Sequence, residues 1–189
     1  NAEEIKRMKM KLVNVYYRAD RPKAALEILN ELGVTDYRMG VLRGSIYLRN
    51  NEKLNAREAA SKTLESLDTD DVNKEDYLKV NLDALSILSD AGGNLSLIDK
   101  NLTGLISLME KKLSLNPDDS ELKAIMAQSY LLLGRTLFQK PGNSDHHRTL
   151  ISFDRALAVA EVMPPQIGQF TLYIGSMPEQ RIREALIQG

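Results

Sequence analysis

The 189-residue chain contains no cysteine and no tryptophan. It also lacks any apolar run approaching the 18 or so residues that a membrane helix needs. The absence of cysteine excludes disulfides, thiolate metal sites and cysteine nucleophiles. The absence of a long apolar run predicts no membrane span in this part of the chain. We expect a soluble protein, and the sequence leaves both cytoplasmic and periplasmic locations open.

Recognisable catalytic motifs are missing as well. The sequence has no GxGxxG, phosphate loop, HExxH or GxSxG pattern, so we expect no enzymatic activity and no cofactor. The two histidines, His146 and His147, are adjacent. Adjacent helical residues point to different faces, so these two cannot easily chelate one metal. We therefore predict no catalytic residue and no metal site.

The charge of the chain is unevenly distributed. Residues 1–62 hold 13 Lys+Arg and 8 Asp+Glu, whereas residues 63–189 hold 12 and 18, which gives the total of −1. We expect the two parts to carry opposite electrostatic fields. The overall pI near 6.2 is far from the strongly basic balance of nucleic-acid-binding domains. The basic cluster at residues 6–11 therefore favours a solvated helix face over nucleic acid binding.

Helical periodicity dominates the sequence. Apolar residues recur at spacings of three and four from Leu12 to Ala19 and again from Ala25 to Leu32. Pro22 suits the first turn of the second helix, and Gly33 is placed to end that helix in a left-handed conformation. Further helices are predicted at 36–50, 55–67, 73–90 and 97–115, then one opening at 116–135 and one that follows the polar loop near 140. The sequence predicts an all-α protein of eight helices.

A weak internal repeat accompanies this pattern. The segment KMKLVNVYYRADRPKAALEIL aligns with RMGVLRGSIYLRNNEKLNAREAASKTL, which places Tyr16 opposite Tyr47. The separation of 31 residues is close to the period of a helix-turn-helix repeat.

The clearest unit is NPDDSELKAIMAQSYLLLGR, residues 116–135. Pro117 ends the preceding unit, and the small residue Ala127 stands three positions before Tyr130. Gly134 follows four residues later, where we expect it to make the turn to the partner helix. With these spacings the chain resembles the tetratricopeptide repeat family, whose units are about 34 residues long.

The resemblance extends over residues 1–163, with departures. Phe153 and Ala156 stand as the bulky and small residues of the family's second helix, but Lys112 occupies a position where a small residue is expected. An insertion of about ten residues, QKPGNSDHHR, separates the last two helices. The resemblance implies a superhelical solenoid of about four antiparallel helix pairs at 1–163, followed by a capping or interaction tail at 164–189.

The resemblance also implies where a partner would bind. In stacked pairs the first helix of each pair lines the concave side. The residues placed there are Arg7, Met10, Asn14, Tyr17, Arg18, Arg38, Ser45 and Arg49, with Val41 and Leu48 between them and Ser86 in a later unit. Relatives that clamp a peptide carboxylate also have asparagine at the position of Asn14, but their lysine is Met10 here. Since arginine binds carboxylates in bidentate fashion, we expect a protein or peptide partner with acidic character.

The sequence thus predicts a non-enzymatic interaction module that acts as a scaffold or adaptor in the assembly of a complex. One alternative is a regulatory or sensor domain of a larger transcription regulator. A second is a bacterial secretion or biogenesis factor. A catalytic helical protein is disfavoured by the missing motifs. Because the chain begins at Asn1 without a signal region, we interpret it as an excised or processed fragment.

The tail beyond Pro164 departs from the repeats. Residues 169–175, QFTLYIG, favour a β-strand, and Ser176 with Glu179 forms a capping box for a last short helix. Because the terminal apolar face of a repeat array needs a cover, we expect the tail to dock back as a cap. The alternative is that it inserts into a partner or into another copy of this chain, which would form a homo-oligomer.

Overall fold

The computed structural model describes residues 2–33, 37–67, 76–140 and 146–161, which form eight α-helices and no strand. The helices are α1 (Ala2–Arg18), α2 (Pro22–Glu31), α3 (Tyr37–Arg49), α4 (Lys53–Ser66), α5 (Tyr77–Asp90), α6 (Leu95–Leu115), α7 (Ser120–Gln139) and α8 (His146–Glu161). The prediction of an all-α fold is confirmed. Among these helices none is both long and apolar enough to cross a bilayer. The strand, capping box and tail predicted beyond residue 163 lie outside the described residues.

The chain divides into two compact units, residues 1–93 and 94–189. In the first unit α1 packs on α2, α3 packs on α4, and α5 contacts both α3 and α4. In the second unit α7 packs on both α6 and α8. Three of the four predicted pairs, α1 with α2, α3 with α4 and α7 with α8, are therefore in contact. The third predicted pair, α5 and α6, is divided by the boundary between the units, and the superhelical stacking of all pairs stays a prediction.

The turns that end α1, α3 and α5 share one hydrogen-bond geometry. Each contains a residue with positive φ: Asp20 (56°), Asn51 (60°) and Gly92 (74°). The next backbone N–H donates to the carbonyl five residues earlier, namely Arg21 to Tyr16 at 2.9 Å, Glu52 to Tyr47 at 2.8 Å, and Gly93 to Leu88 at 2.7 Å. This is the Schellman arrangement, which satisfies carbonyls that the helix end leaves unpaired. The 31-residue repeat in the sequence therefore corresponds to a repeated turn in the structure.

The second helix begins and ends as its sequence predicts. Pro22 is the first residue of α2, where a missing N–H removes no helical hydrogen bond. Gly33 has φ of 60°, which a glycine adopts without steric cost. Both predictions are confirmed.

One hydrophobic cluster of the first unit is built from one face each of α1, α2 and α3. Its buried members are Val13, Ala25, Leu26, Leu29, Met39 and Ile46. Leu12 and Val15, which belong to the predicted apolar pattern of α1, are instead 41% and 58% exposed. The pattern predicted a helix correctly, but it did not identify the face that the helix buries.

The second unit contains a closely packed contact between α7 and α8. Ala127 is fully buried among side chains of α7 and α8, and Tyr130, Phe153 and Ala156 are also buried. The prediction that Gly134 turns the chain is wrong, because α7 continues to Gln139. A Cβ atom on Gly134 would lie 2.6 Å from the Phe153 ring. Gly134 therefore lies inside α7 and allows α8 to pack closely against it.

Candidate partner-binding groove

An open groove of about 640 Å³ lies between α1, α3 and α5 of the first unit. Its lining residues are Tyr17 from α1, Val41, Ser45, Leu48 and Arg49 from α3, Lys53 from α4, and Asp83, Ser86, Ile87 and Asp90 from α5. Three of the predicted binding residues, Tyr17, Ser45 and Arg49, therefore meet at one surface. Val41, Leu48 and Ser86, which the repeat pattern also placed on the concave side, lie beside them.

The groove is shaped by a close contact between α3 and α5. Gly44 is buried on α3, and a Cβ atom at this position would lie 3.2 Å from two side-chain atoms of Ile87. Real Cβ atoms rarely come that close to a neighbour, so glycine allows the two helices to approach. Ser45 and Leu48 follow on the same side of α3 at a spacing of three, which places their side chains one above the other along the groove.

Arg49 connects two of the helices that line the groove. Its Cζ atom lies 4.4 Å from the centroid of the Tyr17 ring, within the range of a cation–π contact. Its Nη1 donates to the Tyr17 carbonyl, and its Nε lies 3.6 Å from the exposed carboxylate of Asp20. These contacts hold the cation in place at the C-terminal end of α1, where the helix dipole favours positive charge.

The groove presents both signs of charge. Arg49 and Lys53 supply cations at one side, and Asp83 and Asp90 supply carboxylates from α5. The Lys79 ammonium lies 3.3 Å from Asp83, but both side chains are exposed, so this pair contributes little. Between the charges lie the apolar side chains of Val41, Leu48 and Ile87. The surface can therefore contact a segment that carries apolar, acidic and basic side chains together.

The other five predicted residues do not line this groove. Arg7 and Arg18 are exposed on α1, and the Asn14 amide donates to the Met10 carbonyl at 3.2 Å. Met10 itself is half-buried and packs against the core of the unit. Arg38 is paired with Asp76 and lies 5.7 Å from the Tyr37 ring centroid. The predicted arginine-rich surface is thus spread over several faces of α1 and α3.

Sequence reasoning missed four residues of the groove, Lys53, Asp83, Ile87 and Asp90. Asp83, Ile87 and Asp90 follow one another on α5 at spacings of four and three, which is the signature of a single helix face. This spacing could have identified them beside Ser86. Lys53 carried no such signal, because its place depends on how α4 leaves the turn after α3.

No protein-family model matches the chain, and comparison with curated proteins finds no match. The resemblance to tetratricopeptide repeats therefore stays a prediction from the sequence.

Proposed function

We propose that this protein is a tetratricopeptide-like interaction module, without enzymatic activity, that binds a segment of a protein partner in the groove between α1, α3 and α5. The observation that carries the proposal is the assembly of Tyr17, Ser45 and Arg49 into one open groove. These residues come from the first helices of two successive pairs, which is where a helical repeat presents its binding surface. In this role the protein acts as a scaffold or adaptor within a larger complex.

The repeated architecture of the first unit supports this proposal. The same Schellman turn follows α1, α3 and α5, so each first helix enters its pair with the same backbone geometry. Small residues at helix contacts, Gly44 against Ile87 and the fully buried Ala25 and Ala60, permit the close packing that helix pairs of this class need. A rigid set of parallel first helices would offer a continuous surface to an extended or helical segment.

The charges of the groove support a more specific partner segment than the one expected from the sequence. An acidic side chain of the partner would face Arg49 and Lys53, and a basic one would face Asp83 and Asp90. Apolar contacts to Val41, Leu48 and Ile87 would supply the affinity that exposed charge pairs do not. We therefore propose a partner segment that carries both acidic and basic residues around an apolar centre.

A peptide library displayed on phage and selected on the whole protein tests this proposal. The Ser45→Lys variant places a long cationic side chain in the groove, whereas Ser114→Lys changes an exposed serine at the end of α6. We expect selected peptides to lose roughly tenfold or more in affinity on Ser45→Lys, which corresponds to about 1.4 kcal/mol. Ser114→Lys should leave their affinity within about twofold of the parent.

The reverse result would refute the proposal. If the selected peptides bind Ser45→Lys and a Tyr17→Ala variant as tightly as the parent, the groove is not the binding surface. Mapping of backbone amide shifts by NMR provides a second readout. Shifts confined to residues outside α1, α3 and α5 would lead to the same conclusion.

A further inference from the structure

The first unit contains a second cavity, on a different face of α3 from the groove. It has a volume of about 520 Å³, is open to solvent, and is bounded by the end of α2, by α3 and by α4. The α3 residues that line it include Tyr37, Gly40, Arg43 and Tyr47. At 3.6 residues per turn this face lies roughly 140° around the helix from the groove face. The two surfaces can therefore be tested independently.

The lining of this cavity is mostly polar. Asn30 and Asn55 contribute amides, and Tyr37 and Tyr47 contribute phenols. Gly40 allows α3 to pass close to α4, since a Cβ atom there would clash with the Thr63 side chain. The volume falls within the range of about 300–1,000 Å³ that is typical of small-molecule sites. A ligand of this size would find both hydrogen-bond donors and acceptors around it.

The charge of the cavity is set by Arg43. The lining also holds Lys62 and Glu58, but the Lys62 Nζ donates to the Glu58 carboxylate at 2.6 Å, so these two charges offset each other. The remaining cation is the Arg43 guanidinium. Its Nη2 donates to the Leu29 carbonyl at 3.5 Å, which is long for a hydrogen bond.

The Arg43 side chain is incompletely satisfied. Its Nε is buried and has no hydrogen-bond partner among the residues that the structure describes, although buried donors are nearly always paired because an unpaired one is destabilising. A guanidinium carries five donors in a planar fork that matches a carboxylate or a phosphate. An oxyanion in the cavity would supply acceptors to the Nη end, and a small rotation of the side chain would bring Nε into the same set of bonds.

We propose that this cavity binds a small organic oxyanion, with a carboxylate or phosphate group held by Arg43 and a hydroxylated body held by the amides and phenols around it. Lys62 is a second cation that can contact the ligand. Its ion pair with Glu58 is exposed, so breaking that pair to bind the ligand costs little free energy. The neutral groups Asn30, Asn55 and Tyr47 would contact hydroxyl groups of the ligand. The class is that of a sugar phosphate or a hydroxylated carboxylic acid.

Titration of the whole protein with three probes tests the proposal. Glucose 6-phosphate and citrate carry the two oxyanion chemistries, and glucose provides the neutral control. We expect at least one anion to bind saturably with Kd at or below about 1 mM by calorimetry, and to shift the side-chain Nε–Hε NMR signal of Arg43. Glucose should produce neither effect. Preference for one anion distinguishes the phosphate form of the site from the carboxylate form.

Three variants assign the binding to this cavity. Arg43→Gln should lower the affinity for the preferred anion roughly tenfold or more, and Lys62→Gln should lower it about threefold. Both losses are expected because hydrogen bonds to charged groups are among the stronger ones. The matched control Arg21→Gln removes an exposed arginine outside the cavity and should change affinity by less than about twofold. Thermal unfolding establishes that each variant is folded, and the exposed Lys62 remains decisive if Arg43→Gln does not fold.

Two outcomes would overturn the proposal. One is the absence of saturable binding by either anion up to roughly ten times the expected Kd. The other is binding that survives unchanged in Lys62→Gln and in folded Arg43→Gln, or that is equally tight for glucose.

Discussion

The two units use their charged residues in different ways. In the second unit the buried carboxylate of Asp99 on α6 accepts hydrogen bonds from Lys140, just past α7, at 2.6 Å and from Arg148 on α8 at 3.0 Å. In the first unit the ion pairs that join helices or their flanking residues lie nearer the surface, as in Lys9 with Glu31 and Arg38 with Asp76. In the second unit a buried carboxylate therefore connects α6 with the end of α7 and with α8.

A second polar cluster joins the same helices of the second unit, with its charged members nearer the surface. The Tyr130 hydroxyl donates to Glu110 at 2.8 Å and accepts from Arg155 at 3.1 Å, which again joins α6, α7 and α8. Burial raises the pKa of the Tyr130 phenol, and the hydrogen bond to Glu110 adds to the effect. Lys140, Arg148 and Arg155 of this unit are therefore paired with carboxylates, whereas Arg43 of the first unit donates to a backbone carbonyl. This contrast supports the choice of Arg43 as the cation of the proposed oxyanion site.

The largest effect is expected from Ala127→Trp in the second unit. Ala127 is fully buried between α7 and α8, so an indole ring has no space and should lower the free energy of unfolding by about 3 kcal/mol or more. The matched control is Ala158→Trp, an exposed position on α8, which should change stability by less than about 0.5 kcal/mol. Urea unfolding measures both. Equal midpoints for Ala127→Trp and the parent would show that the contact is not closely packed.

A somewhat smaller effect is expected from Asp99→Asn. Removing the carboxylate leaves Lys140 and Arg148 without their shared partner, at a cost of about 2–3 kcal/mol for this largely buried group. Asp76→Asn, which breaks the more exposed pair with Arg38, should cost about 1 kcal/mol or less. If urea unfolding shows the same loss of unfolding free energy for both variants, the contrast between a buried and an exposed ion pair is wrong.

The Asp99 pair should also make stability depend on pH. Burial alone would raise the pKa of the Asp99 carboxyl, but the hydrogen bonds from Lys140 and Arg148 outweigh burial and lower it. Because the folded pKa lies below the unfolded one, the pair stabilises the protein above pH ~4, and this stabilisation is lost as pH falls through the folded pKa. The difference in unfolding free energy between the parent and Asp99→Asn should therefore shrink between about pH 5 and pH 2. A constant difference over that range would argue against a charged Asp99.

Neighbouring residues of α1 provide a test of the first core. Val13 is fully buried whereas Leu12 is 41% exposed, so Val13→Ala should cost about 2 kcal/mol and Leu12→Ala less than about 0.5 kcal/mol. Both changes remove apolar carbons from one helix at adjacent positions. Denaturant midpoints in the opposite order would mean that α1 buries the other face.

The smallest effect is expected from Gly134→Ala. The added methyl group would lie 2.6 Å from the Phe153 ring, and this clash should destabilise the protein by about 1–3 kcal/mol. The better helix propensity of alanine offsets about 1 kcal/mol of that loss. Gly104→Ala on α6 adds a methyl group that meets no described atom within 4 Å apart from the adjoining backbone of its own helix and its two chain neighbours. This change should stabilise the protein by about 0.5–1 kcal/mol. The two changes should therefore shift the melting temperature in opposite directions. A stabilising Gly134→Ala would contradict the close approach of α8.

The sequence predicted the helices better than it predicted their faces. Local backbone preferences, which depend only on neighbouring residues, determine the bounds of the helices. The same preferences explain Pro22 in the first turn of α2 and the left-handed conformation of Gly33. Leu12 and Val15 show the limit, because an apolar period identifies a helix without saying which partner will cover it. Gly134 shows another limit. Glycine occurs both in turns and at close helix contacts, and the sequence around it does not say which neighbouring helix it will face.

The binding surfaces divide in the same way. The repeat pattern alone placed Tyr17, Ser45 and Arg49 on one side of the first helices, since a 31-residue repeat carries side chains to equivalent positions. Only the tertiary structure decided that Asp83 and Asp90 face them, that Arg49 is held against Tyr17, and that Arg43 borders a separate cavity. Local sequence sets the order and length of helices through interactions within a few residues. The pairing of Asp99 with Lys140 and Arg148, and the lining of each cavity, depend on side chains that only helix packing brings together.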